Sequence, residues 1–152
     1  MMTDSNAWCF DNMYKALKDI PSTGVYSKVF DLGLTPEYRE KAIVGAENRL
    51  MADKKFRVMM SGGENAAAST ATLKCVMYTG GTLGGDGHIL NPVEVYSSRT
   101  FTAAEMTKGA VLIDTKIENR VVKRYVEFKF IGASTAATSG KVFAEFTSIN
   151  AA

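Results

Sequence analysis

The chain has 152 residues, of which 46% are hydrophobic and 22% charged, and it carries a formal net charge of +2 with an isoelectric point near 8.5. That length suits a single domain, residues 1–152, able to bury roughly 70% of the surface of its unfolded chain. The composition excludes a disordered or fibrous chain, and the weak charge excludes the concentrated basic surface of a nucleic-acid-binding protein.

Residues 1–20 contain an early Asp4 and no continuous apolar run, which predicts neither a signal peptide nor a membrane-spanning segment. The segment concentrates large apolar side chains that are candidate interface residues: Trp8, Phe10, Met13, Tyr14 and Leu17. Positions 10, 13, 14 and 17 have helical spacing, which predicts a short amphipathic helix docked on the domain. The alternative is an N-terminal arm whose aromatic side chains anchor in a neighbouring subunit.

Alternation of apolar and polar residues predicts seven or eight β-strands along the rest of the chain. Seven of them lie at residues 25–33, 55–62, 71–80, 92–97, 109–117, 124–132 and 141–149. In the first strand, Tyr26, Phe30 and Leu32 are predicted to share one face. In the fourth strand, Tyr96 is predicted to point away from the face that carries Val95.

Loops rich in Gly, Ser, Thr and Ala separate the strands, and no βαβ spacing recurs. This pattern predicts an all-β domain, an antiparallel sandwich or barrel, with two packed sheets as the preferred form. Helical signals predict only one or two short turns: Thr102 and Glu105 have capping-box spacing ahead of Gly109. A further helical segment is predicted to begin with Thr35 as its N-cap and Pro36 at its first helical position, and to stop at Gly45.

Residues 79–88, TGGTLGGDGH, are rich in glycine but lack the lysine and the following helix of a phosphate-binding loop, so they predict an inter-strand loop. His88 is the only histidine and is predicted to be a solvated loop residue. Cys9 and Cys75 form no metal-binding motif and predict two reduced thiols, with a disulfide between them as the alternative. No metal, cofactor or catalytic residue is predicted.

Four carboxylates lie on or near predicted strands, namely Asp114, Glu118, Glu127 and Glu145, and two of them would be needed for a glycosidase pair, since such enzymes use two acidic side chains. Glu127 and Glu145 occupy positions where the alternation places solvent-facing side chains. Polar residues at those positions are typical of a soluble sheet face. The carboxylates therefore predict no catalytic activity.

Three parts of the chain resemble the jelly-roll capsid cement (decoration) proteins of tailed bacteriophages. Residues 11–33, DNMYKALKDIPSTGVYSKVFDLG, pass through a Ser/Thr patch into a strand that ends in Asp31-Leu32-Gly33, like the opening of that family. Residues 55–79 are similar to its paired central strands around a small-residue loop. Residues 108–117 and 124–146 resemble its C-terminal pattern, in which a Gly-initiated strand is followed by an Arg-Tyr-Val strand, a small-residue loop and a closing strand.

The resemblance implies an antiparallel β-sandwich of jelly-roll type without enzymatic activity. It implies a virion protein, made in the cytoplasm of the bacterial host, that binds the outer surface of the capsid as a homodimer or homotrimer and bridges major capsid protein subunits. Ser134, Thr135 and Thr138 in the small-residue loop join the N-terminal candidates as predicted interface residues. Residues 34–55 and 79–92 depart from the family pattern, and no functional residue transfers individually.

A second hypothesis from another class is a carbohydrate- or receptor-binding module on the same sandwich. It would use the loops around Tyr78, His88 and Tyr96, since sugar sites combine exposed aromatic rings with convergent polar groups. The loop tips consist mainly of Gly, Ala, Ser and Thr, which favours the capsid hypothesis.

Overall fold

The structure is a computed structural model, and it describes residues 7–32, 54–61, 70–116, 122–133 and 139–148. The described residues form ten β-strands: β1 Lys15–Ala16, β2 Val25–Tyr26, β3 Phe30–Asp31, β4 Lys54–Met60, β5 Thr72–Gly80, β6 Val93–Ser97, β7 Phe101–Thr102, β8 Val111–Lys116, β9 Tyr125–Gly132 and β10 Lys141–Ser148. One 3-10 helix, Leu17–Asp19, follows β1.

The strands form two antiparallel sheets that pack as a sandwich. Sheet A has the order β1-β10-β4-β8. Sheet B has β9 and β5 at its centre, with β2 and β3 both pairing along one edge of β9, and β6 and β7 both pairing along one edge of β5. The pairs β2/β3 and β6/β7 are therefore two outer strands, each interrupted once.

When each interrupted strand counts as one, eight strands remain, numbered here by their position along the chain. Sheet A then has the order 1-8-3-6 and sheet B the order 2-7-4-5. This is the eight-stranded, double-sheet order of a jelly roll. The predicted antiparallel β-sandwich of jelly-roll type is confirmed.

The core lies between the sheets and is built from the inward-facing residues that the alternation predicts. The central strands contribute Phe56, Val58, Met60, Leu73, Cys75, Met77, Val126, Phe128, Phe130, Val142, Ala144 and Phe146, all buried. Phe56 of sheet A stacks on Phe128 of sheet B, with ring centroids 4.1 Å apart and planes 13° from parallel. Phe146 lies 5.4 Å from the same Phe128 ring. Aromatic rings thus join the two sheets at the centre of the core.

A buried serine occupies the break in each outer strand of sheet B. Ser27, between β2 and β3, donates its N–H to the Phe128 carbonyl at 2.8 Å and accepts the Phe128 N–H on Oγ at 2.9 Å. Ser98, between β6 and β7, makes the same two bonds with Cys75, both at 2.9 Å. Each hydroxyl donates in turn to the carbonyl of the next residue at 2.8 Å. The outer strands can therefore bend away while the central strands stay hydrogen-bonded.

Two predicted face assignments are wrong, and each error falls at an irregularity in an outer strand. Tyr26 lies exposed on the outer face whereas Phe30 packs on the core, because residues 27–29 interrupt the strand between them. Tyr96 points inward, 6.3 Å from the Phe56 ring, because the register between β5 and β6 shifts by one residue.

The N-terminal segment packs on its own domain without forming the predicted helix. Cys9 joins the two sheets, since its N–H donates to the Ala144 carbonyl at 2.9 Å and its carbonyl accepts the Lys28 N–H at 2.8 Å. The helix predicted from positions 10–17 is wrong because the segment follows the free edge of β10, whose backbone groups it satisfies. Leu17–Asp19 forms a 3-10 turn.

The capping-box contacts predicted for Thr102 and Glu105 are present, although residues 103–106 form a turn rather than a helix. The Glu105 carboxylate accepts the Thr102 N–H and the Thr102 hydroxyl, each at 3.2 Å. The helical segment predicted from Thr35 to Gly45 lies outside the described residues.

Candidate functional site

Residues 81–92, between β5 and β6, form a small hairpin that folds back over the outer face of sheet B. Leu83 and Ile89 form an antiparallel bridge. The Gly84 N–H donates to the His88 carbonyl at 2.7 Å, and the Leu90 N–H donates to the Thr82 carbonyl at 2.9 Å. Ile89 is buried where β5 ends: a Cβ added to Gly80 would lie 2.2 Å from its Cγ2 atom. Glycine at position 80 therefore lets this 81–92 hairpin lie close to the sheet.

Glu127, on the central strand β9, is the polar residue that the 81–92 hairpin covers. Its side chain is on the outer face of sheet B, yet it is only 2% exposed. The carboxylate contacts His88 Nδ1 through Oε2, and the Ile89 N–H points to Oε1 at 3.5 Å. The hairpin thus supplies the partners that a buried carboxylate requires.

Aromatic and cationic groups surround the contact between His88 and Glu127. The Tyr26 ring on β2 lies 5.1 Å from the imidazole, centroid to centroid. Lys129 Nζ lies 5.4 Å from the centre of the same tyrosine ring, within cation–π range. Tyr78 stands directly opposite Glu127 in the strand register. The outer face of sheet B therefore combines two tyrosines, a histidine, a lysine and a buried acid.

These contacts raise the pKa values of His88 and Tyr78. The hydrogen bond to Glu127 raises the pKa of His88, and the charges of Glu127 and Asp86 raise it further. The Asp86 carboxylate also accepts the His88 backbone N–H at 3.0 Å. Partial burial raises the pKa of Tyr78, and the charges of Tyr26 and Glu94 raise it further.

A histidine oriented by a buried carboxylate is an arrangement that general-base sites also use. In the described part of the chain, the imidazole contacts the side chains of Glu127 and Tyr26, and neither of these is the Ser, Thr or Cys nucleophile of such a site. Within the described ranges, no group of three or more His, Cys, Asp and Glu side chains could hold a metal ion. The geometry thus fits a contact that positions the 81–92 hairpin.

The prediction that Glu127 and Glu145 are solvent-facing is wrong in the same way for both. Each lies on an outer sheet face, as the alternation requires, but each is only 2% exposed. On β10, Phe143 is also buried beside Glu145, so this outer face is covered. Arg57 Nη1 lies 3.9 Å from Glu145 Oε1, and burial raises the pKa of Glu145 against the charge of this arginine. Sequence alternation identifies the face of a strand but not what covers that face.

The predicted N-terminal interface residues divide into two groups. Phe10 lies 4.9 Å from the Phe130 ring, and Leu17 is fully part of the core. Trp8 is half-buried and pairs through its backbone with β10. Met13 and Tyr14 are exposed and remain candidates for intermolecular contact. The other predicted interface residues, Ser134, Thr135 and Thr138, lie outside the described residues.

Cys9 and Cys75 are buried free thiols. Burial raises the pKa of both above the ordinary thiol range, so both stay protonated and unreactive at neutral pH.

Comparison of the chain with protein-family models and with curated proteins finds no match. Across the residues that the structure describes, no helix is long and apolar enough to span a membrane.

Proposed function

We propose that this protein is a capsid decoration protein, which binds the outer surface of a phage head and stabilises contacts between major capsid protein subunits. The jelly-roll order of its sheets and the resemblance of its sequence to that family support the proposal. Because a jelly roll serves many functions, the fold alone would be weak support.

The observation that carries the proposal is the distribution of exposed apolar side chains. Six large ones are exposed in the described parts of the chain: Met13, Tyr14, Tyr26, Leu90, Val93 and Val111. They fall into four places: Met13 and Tyr14 beside β1, Tyr26 and Leu90 on the outer side of sheet B and its hairpin, Val93 at the start of β6, and Val111 at the start of the edge strand β8. Tyr and Met are enriched in protein interfaces, and exposed ones on separate parts of a domain suit a protein that touches several neighbours at once.

Copies of such a protein act together on a symmetric lattice. A homodimer or homotrimer, the assembly proposed here, presents the same contact points two or three times. Each contact can then be modest, because linked contacts raise the overall affinity by factors of roughly 10² to 10⁴. The proposed partners are therefore the major capsid protein and further copies of this chain.

The direct test is co-sedimentation of the purified protein with capsids assembled without it. The proposal predicts saturable binding, with a fixed number of copies per capsid, and no binding to the unassembled capsid protein alone. A purified β-sandwich of similar size and charge serves as the control. Failure of the protein to sediment with capsids at micromolar concentration would overturn the proposal.

A carbohydrate-binding role is the second candidate, favoured by the placement of Tyr26, Tyr78 and His88 on one outer face. A glycan array tests this role, with Tyr26→Ala as the variant, since the Tyr26 ring is exposed. Tyr96 is unsuitable for that test because it packs toward the core. Selective glycan binding that Tyr26→Ala abolishes would establish the role, and an array without selective binding would reject it.

A further inference from the structure

A hollow of about 260 Å³ opens where the 81–92 hairpin meets the ends of β5 and β6. Its lining consists of Gly80, Gly81, Thr82, Leu90, Asn91, Val93 and Lys123. Sites for drug-sized ligands and cofactors have volumes of about 300–1,000 Å³. The smaller volume of this hollow suits one or two side chains of a partner protein.

Two walls of the hollow are apolar and point to solvent. Leu90 is 52% exposed and Val93 is 53% exposed, the highest values for large apolar residues in the described ranges. Leu90 faces outward because its neighbour Ile89 is buried against the sheet at Gly80. The Leu90 N–H also donates to the Thr82 carbonyl at 2.9 Å. The exposed leucine is therefore held in place by backbone contacts.

Lys123 gives the hollow a positive charge. Among the described residues that line the hollow, it is the sole charged one. Its backbone N–H donates to the buried Thr79 hydroxyl at 2.9 Å, and that hydroxyl donates to the Tyr125 carbonyl at 2.8 Å. The base of the lysine side chain is thus anchored to the sheet, and no acid in the lining neutralises its charge. A carboxylate on an occupant would complement it.

We propose that this hollow binds an extended segment of a partner protein that carries an apolar side chain next to a carboxylate. The apolar side chain lies between Leu90 and Val93, and the carboxylate pairs with Lys123. That the partner is the capsid protein rests on the proposed function, whereas the chemistry of the occupant follows from the hollow alone. Apolar burial supplies affinity, and the charge pair selects acidic over basic segments.

The first experiment tests the chemistry with peptides. Acetyl-Leu-Asp-amide and acetyl-Leu-Lys-amide are titrated to millimolar concentration into ¹⁵N-labelled protein, and the amide NMR shifts are followed. The aspartate peptide is expected to shift the amides of Gly80, Gly81 and Val93, at least about fivefold more than the lysine peptide does. Equal shifts from both peptides, or shifts only elsewhere on the domain, would overturn the proposal.

The second experiment tests the hollow on capsids with a matched pair of double variants. Leu90→Asp with Lys123→Glu changes the hollow, while Ala104→Asp with Lys108→Glu introduces the same charges at exposed positions of the turn after β7, away from the six exposed apolar side chains. The hollow variant is expected to bind capsids at least about tenfold more weakly than the control variant. Amide spectra that match the native protein away from the substitutions establish that both variants are folded.

The outcomes separate this proposal from the proposed function. Capsid binding that both double variants retain would reject the hollow and leave the decoration role standing. A native protein that binds no capsid but whose hollow responds to the aspartate peptide would reject the decoration role and support the hollow as a peptide site. Self-association that the hollow variant abolishes and the control variant retains would identify a second copy as the occupant and overturn the proposal.

Discussion

At the scale of single residues, two serines preserve the hydrogen bonding of sheet B where its outer strands break. Ser27 and Ser98 each use the backbone N–H and the side-chain oxygen to satisfy both backbone groups of one residue on a central strand. The partners, Phe128 and Cys75, are fully buried, so water cannot replace the serine hydroxyl there. At each break, the hydrogen bonding of the central strand depends on one serine Oγ atom.

Replacement of either serine by alanine is expected to destabilise the protein by about 1–3 kcal/mol, because a buried backbone N–H then loses its acceptor. The two serines lie on opposite edges of a sheet four strands wide, so their effects should add to within about 0.5 kcal/mol in the double variant. Urea unfolding measures the change. Ser97→Ala, at an exposed neighbouring position, is the control and should change stability by less than about 0.5 kcal/mol. A loss for Ser98→Ala no larger than for Ser97→Ala would contradict this role.

The sequence identifies neither serine, because nothing in a local pattern marks the residue at which an edge strand bends away. The same limit applies to Glu127. Alternation correctly assigns it to the outer face of β9, but its burial depends on a hairpin more than thirty residues earlier in the chain. When a segment distant in the chain buries a side chain, the sequence around that side chain carries no signal of the burial.

At the scale of elements, the 81–92 hairpin is the segment whose position depends on a titratable pair. His88 is 46% exposed and meets the buried Glu127 carboxylate through Nδ1. The pKa of His88 is raised in the folded protein from an ordinary value of 6.5, first by this hydrogen bond. A raised histidine pKa contributes stability that is fully present below 6.5 and is lost as the pH rises through the folded value.

The hairpin should therefore open more often as the pH rises above 6.5. The measurement is amide hydrogen exchange of Ile89, corrected for the intrinsic rate, between pH 6 and pH 8.5. Protection at Ile89 is expected to fall with pH, while the Phe128 amide in the sheet centre stays constant. His88→Gln keeps a hydrogen-bond donor but cannot titrate, so its Ile89 protection should not change with pH. The same pH dependence in His88→Gln as in the native protein would contradict the assignment.

The long strands β4, β5, β9 and β10 could be predicted from the sequence, because the alternation of apolar and polar residues persists along each of these central strands. The short outer strands could not be predicted with their correct faces. Tyr26 lies beside the interruption of its outer strand, and Tyr96 lies beside a register shift. A shift of one residue moves a side chain to the other face of the sheet. The prediction of an N-terminal helix is wrong because apolar residues that follow a sheet edge can by coincidence have helical spacing.

At the scale of the whole molecule, an aromatic stack joins the two sheets. Phe56 and Phe128 come from opposite sheets and are both fully buried. Phe56→Ala is expected to cost about 3–5 kcal/mol, because it removes this contact and leaves a cavity between the sheets. Thermal or urea unfolding measures the loss. Tyr14→Ala, an exposed ring whose edge contacts Phe143, is the control and should cost less than about 1 kcal/mol. Equal losses would show that the sheets are not held together at this point.

The rigid sandwich and the exposed apolar side chains on separate parts of its surface together suit a protein that reinforces a lattice from outside. Such a protein acts by holding neighbouring capsid subunits together, so its effect should appear in the strength of the capsid itself. DNA-filled heads assembled without the protein are heated with and without a saturating amount of it, and DNA release is followed with an intercalating dye. Bound protein should raise the temperature of DNA release by several degrees and should sediment with the heads. An unchanged release temperature on heads that carry the bound protein would contradict the stabilising role.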